Sequence, residues 1–239
     1  MQTLIDATGP FQLPTNWSEV STKQFCATDP LQTVEARASY FAGRPIQVNG
    51  LVADALAWML SPPPLDEGLA YPRDLGQETY LQVETIRGLL TTQPLHECYG
   101  QVYGTFVRGL TLPLFGPAVF SQEKAAVWAR NCMPWCITDT YPAVVHCRAE
   151  LERLATKYAE LAEPDPTEAA ARAREAGADE LLGVFGHYNI AKSVAQQMGI
   201  TLEAAYALPW ESVAIHLLHE RRSAILSDTI QRQAKQRHE

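Results

Sequence analysis

What this sequence lacks narrows it first. It lacks a basic excess: 27 acidic against 19 basic side chains leave a net charge of −8. A chain of that sign has no whole-molecule electrostatic hold on nucleic acid or an anionic membrane, and only a local basic patch stays open. It lacks a long apolar run. The longest, "LVADALAWML", is about half of a membrane span and carries Asp54. The opening "MQTLIDATGPFQLP" is neither a basic-then-apolar leader nor an Arg-rich transit segment, so a soluble intracellular protein is expected. It lacks a disulfide pattern. Cys26, Cys98, Cys132, Cys136 and Cys147 are an odd set without an export signal, which favours thiols over disulfides. It lacks internal repeats and sustained period-two alternation. It also lacks a G-x-S-x-G elbow, a G-x4-G-K-[ST] loop and a G-x-G-x-x-G turn. An enzyme is therefore not expected, and no cofactor is implied.

What the sequence does have is helical patterning. Its 239 residues are 46% hydrophobic, enough to bury a core. The expected fold class is mainly α: a multi-helix globular domain, then a small C-terminal helical unit with a long terminal helix. Residues 1–15 read as an extended arm. Ser21 and Gln24 have capping-box spacing ahead of a short helix. A helix over 33–42 ends at Gly43 in the left-handed cap position. Another over 51–60 is stopped by "SPPP", and 65–74 is loop. Helix resumes over 78–90. The stretch "ECYGQVYGTFVRGLTLPLFGP" is ambiguous. Gly100, Gly104 and Gly109 weaken a helix, while Tyr99, Val102, Tyr103, Phe106 and Val107 keep helical spacing; small residues four apart suit a close helix approach. Ser121 caps the next helix.

The clearest helix is expected over 142–163, with Pro142 in its first turn. Val144, Cys147, Leu151, Leu154, Tyr158 and Leu161 form its stripe. The domain reading is 1–163 as the N-terminal helical domain, 164–180 as an acidic, alanine-rich linker or solvated helix, and 181–239 as the C-terminal helical unit. The last helix follows Pro209 to about residue 233. Trp210, Val213, Ala214, Leu217, Leu218, Ala224 and Ile225 supply its buried face, and a basic tail projects into solvent.

Four patterns are candidates for chemistry. "NIAKSVAQQMGITLEAAYAL" (189–208) has helix-turn-helix spacing. Its second helix offers Glu203 and no basic side chain to a base edge or phosphate, so packing accounts for it better than DNA reading. Lys192 and the tail arginines lie on other surfaces. "NCMPWC" and "HC", with His96 and Cys98 in "HEC", supply zinc-type ligands, but Cys132 and Cys136 stand in a Cys-x3-Cys with Pro134 inside, and Cys147 falls on an apolar stripe. No metal is expected. His216 and His219 in "HLLHE" are three apart, not the four of a zinc-protease helix. The tryptophans Trp17, Trp58, Trp128, Trp135 and Trp210 are expected as core or edge anchors.

Two stretches carry a resemblance. "LPTNWSEVSTKQF" (13–25) looks like the opening of small helical proteins from tail modules of tailed phages and prophages, and "GITLEAAYALPWESVAIHLLHERR" (199–222) resembles the end of phage tail assembly chaperones. Together they cover about a quarter of the chain, as a texture of helix, turn and Pro-Trp. The resemblance implies a non-enzymatic interaction protein that attends the tape measure protein, or a minor structural tail component, in the cytoplasm of a bacterial host or on the virion. It implies a protein partner; the composition and motifs lead to the expectation of no membrane and disfavour nucleic acid. The candidate partner-binding residues are Trp210, Val213, Leu217, Leu218 and Arg221, with the 144–161 stripe as a second surface; ordinary core is the competing reading for both. A DNA-binding helix-turn-helix regulator is the first alternative. A metal or thiol enzyme built on Cys132, Cys136, His146 and Cys147 is the second.

Overall fold

A computed structural model describes residues 1–6, 9–46, 53–54, 56–64, 74–108 and 121–236. The fold is mainly helical and ends in a long helix. The chain divides into two compact units: Met1–Pro72 with Ile86–Arg148, and Arg73–Thr85 with Ala149–Glu239.

In the first unit, the extended arm pairs with itself. Strands β1 (Gln2–Asp6) and β2 (Gly9–Leu13) are antiparallel, with Gln2 opposite Leu13 and Asp6 opposite Gly9. Helix α1 (Thr22–Thr28) starts from a complete capping box between Ser21 and Gln24. Helix α2 (Val34–Ala42) starts where Thr33 accepts from Ala36 N and ends at Gly43, whose φ of 68° only glycine adopts cheaply. Leu13, Ala38, Leu56 and Met59 form a buried cluster against it. Arg37 is buried there, and its guanidinium donates to the carbonyls of Leu31, Asp29 and Met59, which is how a charge is tolerated in that place. Of the helix expected over 51–60, residues 51, 52 and 55 lie outside the described residues; Ala57–Leu60 is a 3-10 turn that ends at Ser61, before the prolines.

Helix α3 (Tyr80–Thr92) is followed by α4 (Leu95–Arg108), so the ambiguous glycine-rich stretch is helical as far as Arg108; Gly109 lies outside the described residues. Helix α5 (Gln122–Asn131), capped by Ser121, lies against α4. A Cβ on Gly104 would stand 2.3 Å from the Ala125 carbonyl oxygen and 2.7 Å from Ala129 N. The absent side chain is what lets the two backbones approach.

Helix α6 (Ile137–Lys157) departs from expectation at both ends, and the boundaries of 142 and 163 are corrected. It begins before Pro142 because tertiary bonds fix its start: Ile137 N donates to Val20 O at 2.8 Å, and Ser21 and Cys136 form an antiparallel bridge. Pro142 therefore sits inside the helix and withholds one N–H, the one Thr138 O would have accepted. The helix ends at Lys157 because Tyr158 leaves helical geometry (φ −115°, ψ 31°) and a 3-10 turn, Ala159–Ala162, follows. On its buried side, Thr140 Oγ1 lies 2.9 Å from Thr22 Oγ1 and 3.0 Å from Tyr99 OH. Phe25 packs edge-on against Trp17, Tyr99 and Tyr141 around that network.

In the second unit, the acidic stretch 164–180 supplies α7 (Glu168–Glu175), capped by the buried Thr167, and the start of α8 (Ala178–Leu182). Then come α9 (Gly186–Met198), α10 (Leu202–Ala207) and α11 (Trp210–Gln236). Gly199, at φ 65°, ends α9, and Thr201 accepts from Ala204 N to start α10.

Candidate functional site

The terminal helix α11 holds all five candidate partner-binding residues, and its start is fixed from several directions. Trp210 N donates to Glu78 O at 2.9 Å, and Tyr80 N donates to Leu208 O at 2.8 Å. Two helix N-termini thus satisfy backbone donors that would otherwise lack helical acceptors. Trp210 Nε1 donates to Glu84 at 2.8 Å, and its ring meets Tyr158 edge-on at 5.4 Å. Lys157 pairs with Glu211 at 2.6 Å.

Further along, arginines tie the helix to the segment 158–166. Arg221 donates to the carbonyls of Glu163 and Pro164, and Arg222 reaches Glu160 at 2.6 Å. That guanidinium holds the Glu160 carboxyl below the usual carboxylate range, and the carboxylate raises Arg222 in turn. Both side chains face solvent, so the pair is screened and orients more than it stabilises.

These anchors decide which face is left over. Trp210 and Val213 are buried in the second unit, and Arg221 uses its two terminal nitrogens on backbone carbonyls. Leu217 and Leu218 are half-buried. The outward apolar face consists instead of Ile215, Leu226 and Ile230, which are 58%, 62% and 57% exposed, with Leu218 at its edge. Ile215, Leu218, Arg222, Leu226 and Ile230 follow one another at steps of three and four, one stripe of a helix. A groove of about 380 Å³ runs along it, lined by Ile215, Leu218, His219, Arg222, Ser223 and Leu226. Reading the tail as basic missed Leu226 and Ile230; their successive steps of four from Arg222 were the available signal.

The other candidates are held apart or committed elsewhere. Cys26, Cys98, Cys132 and Cys147 are buried. Burial pushes Cys26 up to about 12 and Cys132 up to about 11. Cys136, half-buried, places its thiol 3.1 Å from Ser18 O and 3.0 Å from Thr138 Oγ1. His146 packs against the Phe106 ring, and His96 lies near Asp29. Among the described residues, no three His, Cys, Asp or Glu side chains are grouped to hold a metal ion. His216 bonds Gln197, and His219 lies beside Glu220. In the helix-turn-helix stretch, Ala205 is buried while Lys192 and Glu203 face solvent. Among the described residues, no helix is long and apolar enough to cross a membrane. No family model matches the sequence, no curated protein is similar to it, and no solved structure matches it.

Proposed function

We propose that this chain is a non-enzymatic interaction protein of a phage tail module, a tail assembly chaperone that attends the tape measure protein, and that α11 is its docking element. The observation that supports docking is the exposed stripe of Ile215, Leu226 and Ile230 on a helix whose opposite side is anchored. An apolar stripe of helical period receives the apolar face of another helix. The tail-module partner follows from the resemblance of 13–25 and 199–222 to such proteins. It acts in the cytoplasm of a bacterial host or in company with the virion. Covering each of these partly exposed side chains contributes about 1–2 kcal/mol, against an association cost of at least about 4 kcal/mol. A hold of that size is reversible, as a chaperone requires.

The test is co-purification with a phage tape measure protein during tail assembly. Wild type is expected to associate, and the Leu226→Glu, Ile230→Glu double variant, altered only at exposed positions, is expected to fold and lose association. No association by wild type, or full association by the variant, sinks the reading.

A further inference from the structure

The outward row of α11 has a symmetry of its own. It runs Ile215, His219, Arg222, Ser223, Leu226 and Ile230, at intervals of 4, 3, 1, 3 and 4, and the intervals are the same read from the other end. All of these residues are exposed, and His219, Arg222 and Ser223 line the groove between the apolar ends of the row. Turned end for end about the point between Arg222 and Ser223, the helix therefore presents the same row to itself. Ile215 falls opposite Ile230 of a second copy, His219 opposite its Leu226, and Arg222 opposite its Ser223. A two-fold contact needs a surface of this kind, in which residue i meets j and j meets i.

The charges of α11 select the same orientation. Residues 210–220 hold Glu211 and Glu220 and no Lys or Arg, a net charge of −2. Residues 221–236 hold Arg221, Arg222, Arg232 and Lys235 against Asp228, a net charge of +3. Glu211 is paired with Lys157 and Arg222 with Glu160; with both left out, the halves keep their signs, at −1 and +2. Parallel helices would set like halves together. Antiparallel helices set each acidic half beside a basic one. Packed helices stand about 8–10 Å apart, near the screening length of physiological salt, so the difference is felt. Where the two Arg222 side chains approach the axis, each already carries the Glu160 carboxylate on Nε and Nη2, so no bare like charges meet. An unrelated helix would have to match both the row and the charges; a second copy matches both by construction.

We infer that α11 pairs with α11 of a second copy of this chain, antiparallel about a two-fold axis between Arg222 and Ser223, and that this pairing covers the row while no other partner helix is present. The inference rests on reading the row as a docking surface and names its resting occupant. Both copies use the same patch, so the assembly closes at two. Trp210, Val213 and Ala214 stay buried within their own unit, and only Ile215, Leu226 and Ile230 give the pair large apolar cover. A pair of that size exchanges readily with another apolar helix.

Sedimentation of the full chain over a range of concentrations is expected to show monomer passing to dimer. Ile230→Glu, at an exposed position, sets a carboxylate against the acidic half of the second copy and is expected to weaken the dimer about tenfold. Circular dichroism checks that the variant is folded. Cysteine cross-linking reads the orientation. In the antiparallel pair, position 215 stands fifteen residues along the axis from its own copy, about 22 Å, beyond the span of a disulfide. Mild oxidation of mixed Ile215→Cys and Ile230→Cys chains is therefore expected to join unlike chains at 215 and 230, as identified by mass spectrometry. Neither variant alone should cross-link at its substituted position. A chain monomeric at every concentration, a dimer undiminished by folded Ile230→Glu, like-with-like cross-links, or no 215–230 cross-link in the mixture each overturns the inference. A monomeric chain that still co-purifies with a tape measure protein overturns the pairing alone. A cross-linked antiparallel dimer that never takes up a tape measure protein upholds the pairing and sinks the chaperone reading.

Discussion

Alanine in place of Gly104 and alanine in place of Gly88 are expected to act in opposite directions, although both sit inside helices. Intrinsic propensity favours alanine by about 0.5–1 kcal/mol at either site. At Gly88 a new Cβ meets nothing within 4 Å, so the propensity gain stands alone. At Gly104 the Cβ would lie 2.3 Å from the Ala125 carbonyl oxygen, 2.7 Å from Ala129 N and 3.2 Å from Ala129 Cα. These are backbone atoms and cannot turn aside as a side-chain end does. Helices α4 and α5 must separate, and overpacking of this kind costs about 1–3 kcal/mol. With rigid backbone as the obstacle, the upper end applies, and the net loss is about 2 kcal/mol. Gly100 is milder, with the Ala129 oxygen at 2.9 Å and the flexible Met133 sulfur at 3.3 Å. Thermal unfolding followed by far-ultraviolet circular dichroism should show Gly104→Ala melting about 4–8 °C below wild type and Gly88→Ala about 1–4 °C above it. If Gly104→Ala is as stable as Gly88→Ala, the close helix approach is wrong, and with it the reason for the glycine.

Three more outcomes are expected. Thr140→Val removes the hydroxyl shared by Tyr99 and Thr22, leaves the buried Tyr99 hydroxyl without that partner, and should cost about 1–3 kcal/mol in urea unfolding; adding Tyr99→Phe should recover part of the loss, and a purely additive double variant would refute the network. Cys136, the half-buried thiol, should react first with a disulfide reagent near neutral pH, whereas Cys26 and Cys132, buried and pushed up to about 12 and about 11, should react only on unfolding; labelling of Cys26 ahead of Cys136 would contradict the packing. The Glu160 carboxyl is depressed from its ordinary 4.5 by Arg222, so what the pair contributes is present above that value and lost as pH falls through the lower folded one; an NMR titration of Glu160 should report a depressed midpoint that returns to normal in Arg222→Gln.

Which features were legible follows from how many residues decide them. Ser21 and Ser121 cap helices, and Gly43 ends one, because each choice is made within about four residues. The start of α6 is decided elsewhere. Ile137 N donates to Val20 O and Thr22 N donates to Trp135 O, and no local pattern announces a partner so distant. Pro142 therefore misled: in isolation it marks a first turn, and here a tertiary anchor lets the helix begin before it. The division of the chain passes within α3 and α6, where composition does not change. Hydrophobic periodicity found the apolar residues of α11 but could not sort them. Trp210 is covered because Glu84 and Tyr158 sit where they do, and Ile215 is bare because nothing among the described residues covers it.

The two halves of α11 are held by different physics, and that difference bears on docking. The first half is anchored by Trp210, Val213 and Ala214, so its register is set before any partner arrives. From Ser223 to Gln236, only Ile225 and Asp228 are half-buried and the rest is exposed. A helix of such length has little stability of its own in water. Its local supports are the Asp228–Arg232 pair at 2.7 Å and the contact of Arg232 with Pro166 O at 3.5 Å, and an exposed pair of that spacing contributes about 0.3–0.5 kcal/mol. The end bearing Leu226 and Ile230 is thus extended from a fixed base but weakly held. In the proposed docking, a partner that covers it would gain apolar contact and complete a helix already in register, so little ordering cost would oppose the encounter. Under the proposed docking, removal of the partner would return the same end to a state it tolerates, which suits repeated binding and release.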